Sequence, residues 1–372
     1  MNDELLKYKI GITLIKGIGN NLAKSLIAYI GSAEGVFLEK QQTLAKIPGI
    51  GTILSLEIVS QNVLQRAEKE IEFIIKNKIQ TSYFTDKDYP YRLKECLDSP
   101  IMIYSKGNKD FNNGKFVGIV GTRNATENGR DNCKKLIADL ATHQPNTIVV
   151  SGLAYGVDIC AHKAALDFGL KTIGVVGHGL DRIYPATHRS VAAKMLENGS
   201  LLTEYMSETN PDRPNFVQRN RIIAGMCDAI IVIESASRGG ALITAEIANN
   251  YNRDVFAFPG RVDDEWSAGC NALIKNNKAS LIESADDLLK FMNWEKQTQQ
   301  NVANVQTTLF LDLSDEEQDI VTILRQQTEG LQLNEIAIKM EKPISRISSM
   351  LLEMEFKGIV KCLPGNIYKI VK

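Results

Sequence analysis

Four short runs hold the side chains that could do chemistry, and each follows an apolar stretch. They are Gly121-Thr122-Arg123, the run SGLAYGVD at 151–158, the run GHGLDRIYPATHR at 177–189, and Ser237-Arg238-Gly239-Gly240. Glycine lets a backbone approach an anion closely, and the first N–H groups of a helix are free to donate to it. Thr122, Ser151 and Ser237 add hydroxyls; Arg123, Arg189 and Arg238 add charge. Upstream of the fourth run, QRNR supplies Arg219, Asn220 and Arg221. These residue types in this pattern suit phosphate binding.

The other chemical residues form no catalytic set. Cys160 and His162 are two apart on a helix pattern, so they point to different faces and make no dyad. His178 sits in a strand-end loop and is a candidate site residue. Asp158 and Asp181 read as anchors that orient backbone at their turns. The first turn, Gly118-x-x-Gly121, lacks G-x-G-x-x-G, and no acidic residue follows at the distance that holds a ribose. No Walker A run is present, so no nucleotide cofactor is expected. None of the six cysteines forms C-x-x-C, which signals neither zinc nor a redox dithiol. Buried free thiols suit a reducing cytoplasm.

The elements that must position these runs follow from periodicity. Apolar strands are predicted at 115–121, 147–152, 171–177, 200–205, 228–234 and 253–260. Helices are predicted between them at 128–143, 158–169, 188–199, 218–227 and 242–252. This alternation predicts an α/β fold, a parallel sheet with both faces covered, whose ligands bind at the C-terminal strand ends. All four runs then fall on one edge. The net charge of −1 excludes a globally basic coat, so any anion site is local.

The flanks differ. Residues 1–65 read as short helices with an internal repeat, KGIGNNLAKSLI (16–27) and PGIGTILSLEIV (48–59), which resembles a helix-hairpin-helix. Residues 66–110 read as a charged helix, then an extended segment broken by Pro90 and Pro100, with no chemical signal. The polar stretch 294–308 reads as a linker. Residues 309–372 read as three helices and a hairpin around Pro-Gly-Asn, the winged-helix pattern, with Ser314 and Glu317 forming a capping box. Its third helix carries only Arg346 and Lys357 as cations, against Glu353 and Glu355, which suits protein contact better than reading a major groove. The expected domains are 1–65, 66–293 and 309–372. The start MNDELLKYKI is no signal peptide, and no apolar run reaches the ~20 residues of a membrane span. A cytoplasmic protein with no membrane span is expected.

The runs VGIVGTR, SGLAYGVDICAHKAAL, GHGLDRIYPATHR, FVQRNRIIAGMCDAIIVIES, GGALITAEIA, DVFAFPG and SAGCNALI, in this order across 85–285, resemble the DNA-processing protein A (DprA, or Smf) family. The resemblance implies an extended Rossmann-like fold, flanked by a sterile-alpha-motif-like or helix-hairpin-helix module and by a winged helix. It implies a non-catalytic homodimer that binds single-stranded DNA and protects incoming strands in natural transformation. It also implies loading of the RecA recombinase onto DNA covered by single-strand-binding protein. Carried over by position, Arg123 is the first phosphate contact. Ser151 and Gly152 line the pocket with Gly239 and Gly240 opposite. Arg219, Asn220 and Arg221 lie at or beneath it, and Tyr184 or Arg189 meets a base or phosphate. His178 departs from the family's usual small residue or cysteine, and Gly239-Gly240-Ala241 from a Ser-Gly-Ser-like turn.

Single strands need a cationic track and stacking rather than sequence readout, and dimerisation multiplies the weak affinity of one pocket. Two rival readings stand beside this one. A nucleotide phosphoribohydrolase would use Glu246. A pure interaction protein would leave the cradle without a ligand.

Overall fold

A computed structural model describes residues 3–108, 110–296, 313–325, 330–340, 342–363 and 365–370. The chain divides into two compact units, 1–299 and 300–372. In the first unit, helices α1 (Asp3–Gly11), α2 (Asn20–Ile30), α3 (Ala33–Leu38), α4 (Gln41–Leu44), α5 (Gly51–Ser60) and α6 (Leu64–Asn77) precede β1 (Gln80–Tyr83). Next come α7 (Tyr91–Lys94), β2 (Met102–Gly107), β3 (Lys115–Val120), α8 (Glu127–His143), β4 (Thr147–Ser151) and α9 (Val157–Asp167). They are followed by β5 (Lys171–Val175), α10 (Arg189–Asn198), β6 (Ser200–Thr203), α11 (Arg213–Met226), β7 (Ala229–Val232) and α12 (Gly240–Asn250). The unit closes with β8 (Asp254–Ala257), α13 (Ala268–Lys275), β9 (Ser280–Leu281) and α14 (Ala285–Phe291).

The strands form a nine-stranded sheet in the order β1-β2-β6-β5-β4-β3-β7-β8-β9. From β6 to β9 neighbours are parallel; β2 pairs antiparallel with both β6 and β1. Successive side chains of a strand point to opposite faces. Phe116, Val150, Ile230 and Val232 therefore pack in one layer with Ile222 of α11 and Ala245 of α12. Val117, Ile119, Val149 and Ile231 pack in the other with Leu136 of α8, Ala161 of α9 and Leu288 of α14. Both faces are covered, as the continuous apolar strands require.

The segment that carries no chemical signal becomes the sheet's antiparallel edge. Tyr83, Met102 and Tyr104 of β1 and β2 complete a core with Ile10, Leu26, Val36, Leu44, Ile58 and Ile71 of the N-terminal helices. The expected boundary after residue 65 falls inside α6. The two Gly-Ile-Gly turns pack on each other, with Leu54 over Gly17 and Leu22 over Gly49. The carboxylate of Glu70 on α6 is buried and accepts hydrogen bonds from Ser207 N at 2.9 Å and from Arg66. It ties α6 to the loop after β6.

The second unit contains α15 (Asp315–Arg325), β10 (Leu331–Gln332), α16 (Leu333–Lys339), α17 (Ile344–Phe356), β11 (Val360–Leu363) and β12 (Ile367–Ile370). The strands pair in the order β10-β12-β11 around Ile320, Ile336, Ile347, Leu351 and Met354. Ser314 and Glu317 form the expected reciprocal cap, with Glu317 N donating to Ser314 Oγ and Ser314 N to Glu317 Oε2. Arg346 and Lys357 are ion-paired with Glu316 and Glu317 of α15. Most of the expected linker, from residue 297 onward, lies outside the described residues. Among the described residues no helix is long and apolar enough to cross a membrane, and no His, Cys, Asp and Glu cluster could hold a metal.

Candidate nucleic-acid interface

Strand order reverses at β3. The chain builds outward through β4, β5 and β6 on one side, then returns to place β7, β8 and β9 on the other. The loops after β3 and β7 must part there, and a cavity of about 1000 Å³ opens between them at the C-terminal strand ends.

Backbone hydrogen bonds hold its floor. Thr122 N donates to Glu234 O at 2.8 Å, and Val157 N to Thr122 O at 3.1 Å. Gly156 has φ +76°, and a Cβ there would lie 2.2 Å from Thr122 O. Only glycine lets the second loop pass this close under the first. Buried Asp158 accepts from Gly152 N at 3.2 Å and Ala154 N at 3.3 Å, the anchoring role expected of it. Burial pushes its pKa up, opposed by the Arg219 charge.

One wall is the first half of α11. Arg213, Phe216, Val217 and Asn220 line the cavity at helical i, i+3, i+4, i+7 spacing. Tyr184 stacks on Phe216 with ring centroids 5.6 Å apart and planes 23° apart. The exposed Arg123 guanidinium lies 5.9 Å from the Phe216 ring. Tyr184, Phe216 and Arg123 thus line the cavity as a stacked aromatic pair with a cation near the Phe216 ring. The opposite wall is the start of α12, where Arg238, Gly239 and Gly240 are exposed. The helix start carries free N–H groups and partial positive charge. Asn220 Nδ2 donates to Gly240 O at 3.4 Å and joins the two walls. Arg123, Arg213 and Arg238 give the rim three exposed cations. Of the carboxylates lining the cavity, Asp158 is buried and Glu246 is paired with Lys278 at 3.1 Å.

Residues 80–293 match the family model described as DNA recombination-mediator protein A, and residues 310–366 match the DprA winged helix domain. The chain belongs to the DNA recombination-mediator protein A family. Protein Smf of Synechocystis is 31% identical over 97% of this chain and 98% of its own length. DNA processing protein DprA of Streptococcus pneumoniae is 41% identical over 55% of this chain and 71% of its own. The solved structure of DprA from Streptococcus pneumoniae covers 76% of this chain and 97% of its own, with a TM-score of 0.67 at 35% identity. DNA processing protein A from Helicobacter pylori, whose structure is described by its single-stranded DNA binding mode, has a TM-score of 0.52 at 28% identity, covering 57% and 96%.

In this member of the family, the cavity gathers Gly121, Thr122, Arg123, Tyr184, Arg219, Asn220, Arg238, Gly239 and Gly240. Other expected site residues lie elsewhere. Ser151 is fully buried and donates to Ile119 O at 2.6 Å, so its hydroxyl serves the sheet. Gly152 is also buried, against the Arg219 guanidinium. Arg221 points away, into Glu204 and Asp98 O. Arg189 is exposed at the start of α10, outside the cavity lining. His178 is a brace: its ring bridges Gly179 O at 2.8 Å and Tyr184 N at 3.3 Å. Arg219 lines the cavity yet is buried, donating to Gly152 O and Val175 O, and burial pulls its pKa down to about 10. It remains a cation beneath the floor. Consecutive helical residues step about 100° around the axis, so Arg219, Asn220 and Arg221 cannot share one face. Sequence reading missed Arg213, Phe216 and Val217, which counting back from Asn220 in helical steps would have found. Trp266 also lines the cavity, and no spacing signal marked it.

Beneath the floor, His162 Nδ1 meets Thr172 Oγ at 2.7 Å, while that hydroxyl donates to Val149 O at 2.9 Å. Nδ1 therefore carries the proton and Nε2 is left bare without a partner. Burial pushes its pKa down to about 3. The unfolded chain binds a proton near pH 6.5 that the folded ring refuses, so this contribution to stability is lost as pH falls from 6.5 toward 3. The expected loss by pH 4 is about 3 kcal/mol. Urea unfolding from pH 7 to pH 4 should show it, with a flatter profile for His162→Gln.

Proposed function

We propose that this protein is a non-catalytic recombination mediator that binds single-stranded DNA in the cavity between α11 and α12. On this reading it acts as a homodimer, protects incoming strands during transformation, and loads RecA onto DNA covered by single-strand-binding protein. The observation that carries it is the stacked Tyr184–Phe216 pair with Arg123 beside it, lining the same cavity as the open start of α12. A phosphate fits the N–H groups and Arg238, while a base fits the aromatic step. The single-stranded DNA binding mode described for the Helicobacter pylori relative supports the same ligand, and the Streptococcus pneumoniae relative is named for DNA processing.

The test is fluorescence anisotropy with a labelled single strand, a duplex competitor and varied salt. Arg123→Ala should weaken binding by about 1–3 kcal/mol and lower the salt slope by about 0.7, the effect of one fewer neutralised phosphate. Phe216→Ala should weaken binding by about 1–3 kcal/mol with no change of slope, because stacking releases no counterion. Unchanged affinity in both variants would sink the assignment. Release of free base from nucleoside monophosphates, abolished by Glu246→Gln, would favour the hydrolase reading instead.

A further inference from the structure

Trp266 lies in the loop between β8 and α13 and lines the same cavity, at the end remote from the third loop. The loop is braced throughout. Asn271 accepts from Gly260 N at 3.1 Å and donates to Gly260 O at 3.0 Å. Asp264 accepts from Trp266 N at 3.1 Å and from Ser267 Oγ at 2.6 Å. Gly269 N donates to Ser235 O at 2.8 Å and pins the start of α13 to the loop after β7. The backbone that carries Trp266 is therefore held in place, and the residue is half-exposed, with no aromatic partner among the described residues. Ile243, 41% exposed, also lines the cavity.

The position in the sheet gives the reach. Tyr184 follows β5 and Trp266 follows β8. In the order β5-β4-β3-β7-β8 the strands that launch these two loops lie four strand spacings apart, roughly 19 Å. A stacked strand advances about 3.4 Å per nucleotide, so this distance spans at most about six. Arg123 and Arg238 lie between the two aromatic ends. Charge distinguishes what each end can take. The Trp266 loop carries Asp263, Asp264 and Glu265, and the nearby Arg261 is paired with Asp263 at 3.3 Å. This end repels a phosphate and offers an apolar, flat surface to an uncharged ring.

We infer that Trp266 is a second base-stacking platform, so that one DNA strand runs from Phe216 past the start of α12 and seats a further base on the indole. This rests on the single-stranded DNA reading of the cavity. It assigns the backbone to the arginines and the bases to the two ends. It also sets a length threshold, because a strand too short to reach Trp266 gains nothing from it.

The full chain contains two tryptophans, and Trp294 is 8% exposed in the apolar layer. Titration with an oligothymidylate of about ten nucleotides should quench the emission that Trp266→Phe removes, while anisotropy reports binding independently. Trp266→Ala should weaken binding of that strand about 5- to 140-fold. The salt slope should stay unchanged, Trp266→Phe should restore most of the affinity, and a single nucleotide, too short to bridge the two ends, should bind both forms alike. Binding without quenching, and with Trp266→Ala as tight as the parent, would overturn the platform and leave the cavity reading standing. No binding of any single strand would overturn the cavity reading itself.

Discussion

Arg221→Ala is expected to cost about 3–5 kcal/mol of folding stability, the range for removing one partner of a buried ion pair. The Arg221 guanidinium and the Glu204 carboxylate are 8% and 9% exposed, and the two are directly hydrogen-bonded. Arg221 also donates to Asp98 O at 2.8 Å. That loop receives Lys24 of α2, which donates to Leu97 O and Ser99 Oγ, so the substitution should loosen the N-terminal helices as well. Burial already raises the Glu204 pKa, with Arg221 opposing it. Without Arg221 the carboxylate stands alone and its pKa rises further. The variant's deficit should therefore be largest near neutral pH and shrink as pH falls and Glu204 takes up a proton. Chemical denaturation across pH reads both effects. The double variant Arg221→Met, Glu204→Leu should recover most of the stability, since apolar groups of similar volume need no partner. Single-strand affinity, measured where each variant is folded, should stay within about twofold if Arg221 is structural.

Gly156→Ala is expected to damage both stability and binding. The positive φ alone costs about 1–3 kcal/mol for a residue with a Cβ. The added atom also meets backbone, 2.2 Å from Thr122 O and 2.6 Å from Arg123 C, which no side-chain rotation relieves. The Gly-Thr-Arg turn must move, taking both Thr122 and Arg123 with it. Affinity for a single strand should fall at least as far as in Arg123→Ala. Gly169→Ala is the control. Its φ is also +76°, but nothing lies within 4 Å of the added atom. It should show the strain cost in denaturation and leave DNA affinity unchanged. Equal affinities for the two variants would argue that the turn does not face the strand.

The sheet was legible because its signal is local. Runs such as FVGIV, IVV and AIIVI are apolar on consecutive residues, which suits a strand covered on both faces, and the glycines at their ends marked the edge where the cavity opens. The capping box at Ser314 and the anchoring turn at Asp158 were legible for the same reason, since each is satisfied within a few residues. The edge strands β1 and β2 were not, because they are short, lie apart in sequence and owe their pairing to β6 and to the N-terminal helices. Their neighbours had to be folded before their role existed.

The amino-acid order by itself determined the parallel α/β frame, the edge on which the glycine and arginine runs collect, and the family. The tertiary structure alone decided which of those side chains face the cavity. Arg219, Asn220 and Arg221 are adjacent in sequence, yet one braces the floor, one joins the walls and one is paired with Glu204. A strand carbonyl draws Ser151 out of the cavity, while Phe216 and Trp266 line it on elements brought together at the β3–β7 gap. Backbone periodicity is set by nearest neighbours. The direction in which a polar group is satisfied depends on which carbonyl or carboxylate the rest of the fold places within about 3 Å of it.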